Sequence, residues 1–303
     1  MVKVNYLVPI LGWLLATTGA SPTTTVTPLV FKGPTQSNRT ALSANGVPTF
    51  SAYANVNAAG HQTNFNSLSA SGFRMISLSA YGQPPNHLYA AVWVQRSGPG
   101  YFAIHEASGS TFQAFFDAHA PNGFVSTFVT ATGPPGAAIF AGVMEQNGVT
   151  NWFQLCDLTT DGYISQLNSA FANGYILKSF TEYGSTSERL FCGIWYHNDQ
   201  NAPSTNFVDE SYANYQLTFN NQITNPGFRP GYLSVSEDHL ITSEFVNTNV
   251  GSWVARHGMT SSDLQTEFNN QLAAGLFPIL MQGGGTGANI NFAAVFAQKD
   301  IPI

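Results

Sequence analysis

The sequence is poor in charge. Of its 303 residues only 9% are Asp, Glu, Lys or Arg, against about 25% in an ordinary soluble domain. Lysine and arginine number 10 against 16 acids, a net charge of −6. A nucleic-acid partner needs a basic face for its phosphates, so that class is disfavoured. Beyond the first segment no run approaches the roughly 20 apolar residues of a membrane span. Cysteine is nearly absent, with Cys156 and Cys192 only. The catalytic and phosphate-binding strings G-x-S-x-G, H-E-x-x-H, paired C-x-x-C and the phosphate loop are missing. The seven histidines show no ligand spacing, so no metal or cofactor is expected. Asp and Glu are scattered, with no evident acid pair. What is present is 44% apolar residues, with many Ser, Thr, Asn, Gly and aromatics. That excludes a disordered chain and suggests an extracellular protein with a polar, uncharged surface.

The start of the chain reads as an export signal. Lys3 supplies a positive charge, and Tyr6 to Ala16 is an apolar run too short to span a bilayer. Thr18 and Ala20 suit the −3 and −1 positions, so residues 1–20 are assigned as a signal peptide. Residues 21–47 form a Ser/Thr/Pro-rich segment, and 48–303 a repeat domain. The chain is expected to be secreted and to have no membrane attachment after cleavage. Asn38-Arg39-Thr40 is the one glycosylation sequon.

Self-similarity dominates the rest. A Gly-aromatic or Gly-apolar step opens strand-like runs at Gly72, Gly123, Gly174, Gly227 and Gly275, about 50 residues apart. An apolar block follows each, at 89–93, 140–144, 191–195, 241–245 and 292–296. Being apolar throughout, it is expected to be the central strand. A third block occurs at 101–105, 152–156 and 253–257, and is degenerate around Asn206–Asp209. Between repeats lie helical pairs four apart: His61/Phe65, Phe112/Phe116, Tyr163/Leu167, Tyr215/Phe219 and Leu264/Phe268. Such pairs share one helix face. Ser110, Thr160, Ser211 and Ser262 are candidate N-caps. GGGTG (283–287) falls at a strand–strand turn.

The fold class is therefore α+β, with five tandem helix–strand–strand–strand repeats. The last repeat stops after its second strand, while an extra strand, Phe50–Ala54, precedes the first helix. Phe50 falls in the aromatic column of Tyr101, Trp152 and Trp253. The expectation is that this N-terminal strand completes the last repeat, pairing beside 292–297, and closes a propeller-like ring. An open half-barrel superhelix is the alternative. Secretion and an even count favour a Cys156–Cys192 disulfide. Their placement, with another strand between them, argues against it; two small buried thiols are the other reading.

The repeat pattern, seen best in Gly72-Phe73-Arg74, Tyr89–Trp93 and Trp253–Thr260, resembles the tandem repeats of the N-terminal domain of polyglycine hydrolases. Those are secreted fungal serine endoproteases that cut glycine-rich linkers of plant chitinases. Their catalytic residues lie in a C-terminal β-lactamase-like domain. The resemblance covers roughly residues 48–303 and implies the companion module without the catalytic part. None of Lys3, Lys32, Lys178 and Lys299 follows a Ser at the S-x-x-K offset. Tyr53-Ala54-Asn55 and Tyr212-Ala213-Asn214 fit a Y-x-N string but sit inside repeat elements. The reading that follows is a secreted, non-catalytic module binding an extracellular protein, such as a glycine-rich chitinase linker, or a glycan. The alternatives are the first part of a β-lactamase-related endoprotease, or an enzyme with a site assembled inside the ring. Any site is expected on the rim holding Tyr81, His87, His105, Tyr183, His239 and His257. His105 and His257 could instead be structural, each bonding a neighbouring backbone.

Overall fold

The computed structural model describes residues 27–32 and 47–300. The assigned signal peptide and the sequon at Asn38 lie outside them. Among the described residues no helix is long and apolar enough to cross a membrane.

Five small antiparallel sheets follow one another, each built as strand, helix, strand, strand. A short β1 (Leu29–Lys32) pairs with β2 (Phe50–Val56), which opens the first unit. That unit continues through α1 (Ala58–Ala70), β3 (Phe73–Tyr81) and β4 (Leu88–Gln95). The second holds β5 (Tyr101–Ala107), α2 (Gly109–His119), β6 (Val125–Thr132) and β7 (Ile139–Glu145). The third holds β8 (Trp152–Leu158), α3 (Thr160–Ala172), β9 (Tyr175–Ser185) and β10 (Glu188–His197). The fourth holds β11 (Ser204–Glu210), α4 (Tyr212–Gln222), β12 (Arg229–Val235) and β13 (Ile241–Val246). The fifth holds β14 (Trp253–Met259), α5 (Ser261–Ala273), β15 (Phe277–Gly284) and β16 (Asn291–Ala297).

In every sheet the apolar second block is central, flanked by the strand before the helix and the strand after it. The central strand is covered on both faces, which is why it carries no alternation. The connection at Gly283–Gly287 is the β15–β16 hairpin turn.

The split-repeat expectation is overturned. Phe50–Val56 pairs with β4 of its own unit, while β16 pairs with β14 and β15. The third block of each apparent repeat belongs to the sheet that follows it, so all five sheets are intact. A periodic sequence repeats in the same element order from any starting point, and only hydrogen-bond pairing sets the boundary. The same correction decides the cysteines. Cys156 on β8 and Cys192 on β10 lie on directly paired strands and form a disulfide, with Cα atoms 4.0 Å apart.

Each outer strand ends in a bulge with one residue in the left-handed region: Asn55, Glu106, Asp157, Asp209 and Gly258. The bulge turns the chain into the helix. The helix caps are Asn57, Ser108, Thr159, Ser211 and Thr260. Of the expected caps only Ser211 holds; the others lie one or two residues inside their helices. The inward pairs Phe112/Phe116, Tyr163/Leu167 and Leu264/Phe268 are buried as the helical spacing requires.

The five inner strands lie beside one another in the order β3, β6, β9, β12, β15, and β15 also contacts β3. Side-chain hydroxyls join them. Ala80 N–H donates to Thr130 Oγ1 at 2.8 Å, Ala131 N–H to Thr181 Oγ1 at 3.4 Å, and Glu182 N–H to Ser234 Oγ at 2.9 Å. Gly283 N–H donates to Ser79 Oγ at 3.1 Å in the same sense. The inner edges of β3, β6, β9 and β15 are thus capped by Ser or Thr of the next unit, so these buried N–H groups are not left unpaired.

Outer strands pack on the preceding helix through the aromatic column. Ring centroids are 6.1 Å apart for Phe65–Tyr101, 5.3 Å for Phe116–Trp152 and 6.1 Å for Phe219–Trp253. Phe268 of the last helix stands in the same relation to Phe50, at 5.9 Å, and also meets Phe31 of β1.

Candidate functional site

Two cavities lie at opposite ends of the inner strands. The narrow one, about 30 Å³, is bounded by the strand ends around Tyr81–Gln83, Thr132–Gly133, Glu182–Ser185, Ser236–Asp238 and Gly284–Gly285. It is stitched shut: Thr132 Oγ1 bonds Gly82 O, Gly184 N–H bonds Gly133 O at 3.1 Å, and Gly285 N–H bonds Ser236 O at 3.1 Å. Arg189 pairs with Asp238 across it.

This is the rim expected to hold the site. Tyr81 and Tyr183 do line it, yet both are buried and serve the outer-strand bulges. Tyr81 receives the Asn55 N–H at 2.7 Å and donates to Asn55 Oδ1 at 3.0 Å. Tyr183 does the same for Asp157, at 3.1 and 2.6 Å.

The four rim histidines fall into two separate pairs. His87 and His105 sit between the first two units. His87 Nε2 is 2.6 Å from Glu106 Oε1, which also accepts from the Tyr89 hydroxyl at 2.6 Å. Burial alone would raise the Glu106 carboxyl, but the Tyr89 and His87 hydrogen bonds bring it below its usual range. His239 and His257 both pack on Tyr212, between the last two units. His105 and His257 are framework groups, though not through backbone. His105 Nε2 meets Gln62 Oε1 at 2.6 Å, and His257 Nε2 meets Gln216 Oε1 at 3.1 Å. Each glutamine lies on the preceding helix, in the same column.

An acid pair does exist, formed by residues far apart in sequence. Glu182 of β9 and Asp209 of β11 lie within electrostatic reach of each other, with Arg189 Nε 3.1 Å from Glu182 Oε1 and Thr242 Oγ1 donating to Glu182 Oε2 at 3.1 Å. Burial is the main cause that raises both carboxyls, and for Glu182 the Asp209 charge adds to it. The signal in the sequence was faint. Asp209 occupies the bulge column and Glu182 the position before the Tyr183 column, and neither recurs as an acid pair elsewhere.

The wide cavity, about 450 Å³, opens at the other end and draws its lining from all five units. Ile76, Phe128, Leu177, Tyr232, Ile279 and Leu280 supply apolar wall. Lys178, Arg229 and Glu244 supply charge within it, and the pairs Arg96–Asp300 and His197–Asp199 stand at its edge. Glu244 is only 4% exposed, and its Oε1 has no hydrogen-bond partner among the described residues. Burial raises its carboxyl to about 8 against the opposing pull of Lys178 and Arg229. Burial likewise lowers the Lys178 ammonium and takes the Arg229 guanidinium down to about 10. Arg229 spends three of its donors on Thr248 O, Thr248 Oγ1 and Pro230 O. The sequence reading singled out none of these three residues. Lys178 takes a column filled by Ile76, Thr127, Gly231 and Ile279 in the other units, while Arg229 shares its column with Arg74, so their meeting with Glu244 depends on how neighbouring sheets are set together.

Among the described residues no three His, Cys, Asp or Glu side chains are grouped to hold a metal.

A family model for the polyglycine hydrolase-like structural repeat matches the chain four times, at residues 47–96, 98–147, 150–198 and 250–299. Its boundaries coincide with the sheets and not with the helix-first repeats read from the sequence. The fourth sheet, between the third and fourth matches, has the same architecture. Its outer strand carries Ser204 where the other units have an aromatic residue. With the matches spanning most of the chain and the sheets falling in step with them, the protein belongs to the polyglycine hydrolase-like structural repeat family.

Proposed function

We propose that the five units close into a propeller-like ring, and that the chain is a secreted, non-catalytic module that binds an extracellular partner at the wide cavity. Closure is supported by the repetition of one bonding step. The Gly283–Ser79 hydrogen bond and the Phe268–Phe50 contact reproduce between the last and first units what Ala80–Thr130 and Phe65–Tyr101 do between neighbours. The observation that carries the binding reading is the wide cavity, lined by every unit and holding the Lys178 ammonium and Glu244 Oε1, neither of which a framework hydrogen bond takes up among the described residues.

The non-catalytic reading is supported by what the histidines do. His61 bonds the Tyr53 hydroxyl, and the others are engaged by Glu106, Gln62, Asp199, the Asn289 carbonyl, Gln216 and, for His119, the Phe102 ring. A serine nucleophile needs a base on its hydroxyl, and the hydrogen bonds that these imidazoles make among the described residues go to no serine. Family membership makes a glycine-rich chitinase linker the first partner to test, with a cell-wall glycan second.

The experiment is a binding titration of the purified chain with a chitinase carrying its glycine-rich linker, the same chitinase without it, and a chitin oligosaccharide. Binding that needs the linker and is lost in Ile279→Trp, which fills the cavity, is the expected result. Binding unaffected by that substitution would move the site elsewhere. Labelling of the chain by a fluorophosphonate would overturn the non-catalytic reading. A second reading, favoured by the family match, is that the sequence is the first part of a longer β-lactamase-like endoprotease. Transcripts reading past Ile303 would support it.

A further inference from the structure

The wide cavity is rich in donors and short of acceptors. The Lys178 ammonium forms no hydrogen bond or ion pair among the described residues, although it lies in the cavity wall. A lysine has three donors and no acceptor. Arg229 has five donors and uses three on its own surroundings, leaving two. Glu244 is buried between these cations with Oε1 unpartnered, and a carboxyl group that keeps its proton is itself a donor. The nearby acids Asp300 and Asp199 are already paired with Arg96 and His197. Of these atoms Glu244 Oε1 is the buried one without a partner among the described residues, and leaving it so is costly. A ligand that supplies several acceptor lone pairs and one negative charge would take up the free donors of Lys178 and Arg229 together with that of the Glu244 carboxyl. The rest of the wall is aliphatic or aromatic, which favours an organic body over a bare inorganic ion.

We infer that the cavity is a binding site for a small organic carboxylate, its acid group held by Lys178 and Arg229 beside Glu244 and its apolar body lying on Phe128, Tyr232 and Leu280. This rests on the reading of the wide cavity as a binding site, but not on which macromolecule the module meets. A carboxylate has about four lone-pair sites for the donors gathered there. Charge-assisted hydrogen bonds are roughly twice as strong as neutral ones. An acid is therefore preferred over its isosteric amide, which brings one acceptor and two redundant donors.

The test is a calorimetric titration of the full chain with 4-phenylbutyrate and, in parallel, with 4-phenylbutyramide. The expected result is acid binding at least about tenfold tighter than the amide, as for one charge-assisted contact. The preference should disappear in Lys178→Gln and persist in Lys178→Arg, with thermal melts of the variants showing that they fold. If Lys178→Gln does not fold, the wild-type comparison still decides. Equal affinities for acid and amide would overturn the assignment, and so would no binding of either. A chain that binds the acid but no chitinase linker or chitin would sink the partner reading and leave this site intact. A chain that binds the linker equally well when saturated with acid would separate the two sites.

Discussion

Thr130 shows what one hydroxyl does in this protein. It is buried, and it takes the Ala80 N–H of the neighbouring unit at 2.8 Å. An inner strand has a free edge where it meets the next sheet, and an unpaired buried N–H there costs about 1–3 kcal/mol. Thr130→Ala is expected to lose that amount in urea unfolding. Ser79→Ala, which strips the acceptor of Gly283 N–H, is expected to lose as much. A cost near zero for Ser79→Ala alone would argue against ring closure. Glu244 carries a second prediction. Its folded carboxyl is raised to about 8 from an ordinary 4.5, chiefly by burial. The folded state therefore binds the proton more tightly than the unfolded one. The stability from this group is full below the unfolded value and lost as pH rises through about 8. Glu244→Gln has no such proton to lose. Between pH 5 and 8 the variant should gain on the wild type by about 1 kcal/mol per pH unit. Parallel unfolding midpoints across that range would contradict the burial cause.

The helices and outer strands were partly legible in the sequence. Apolar pairs four apart located every helix, because packing requires that spacing whatever the fold. Ser211 was placed correctly and the other three expected caps were off by one or two residues, since the left-handed bulge brings the helix start forward to the residue right after the strand. The last helix tests this. Thr260 Oγ1 accepts the Asp263 N–H at 3.2 Å, and Asp263 Oδ2 accepts the Thr260 N–H at 3.0 Å, a reciprocal capping box. Thr260→Ala should cost about 1 kcal/mol, while Ser262→Ala, the cap expected from sequence, should be near neutral. A larger cost at Ser262 would mean that the helix starts later than its hydrogen bonds indicate. The disulfide belongs to the same scale. Its two cysteines share a sheet only because a repeat's third strand joins the sheet that follows.

On the scale of the whole molecule, the question is whether the last unit is an end or a neighbour. An open stack frays at its termini, and its terminal helix contributes little. Phe268 instead packs on Phe50 and Phe31 as Phe116 packs on Trp152. Phe268→Ala is expected to cost about 3–5 kcal/mol, as much as Phe116→Ala. A much smaller loss at Phe268, or an early separate transition, would show the last unit opening alone.

Composition and periodicity by themselves determined the number of units, the helix positions and the central place of the apolar strand, and the repeat motifs carried the resemblance to the family. Those features are local or repeat in every unit, so they print themselves on the chain five times. Which strands pair was decided only by tertiary structure, because a tandem pattern has no intrinsic starting point and the sheet boundary is a hydrogen-bonding choice. The carboxyl pair Glu182–Asp209 and the Lys178, Arg229 and Glu244 group were decided there too. Lys178, Glu182 and Glu244 each depart from their repeat column once, and a single departure carries no period; Arg229 and Asp209 keep to columns that Arg74 and Asp157 also fill, so their columns do not announce a partner. Only the side-by-side setting of different units gathers Lys178, Arg229 and Glu244 in the wide cavity and brings Glu182 near Asp209 at the other end.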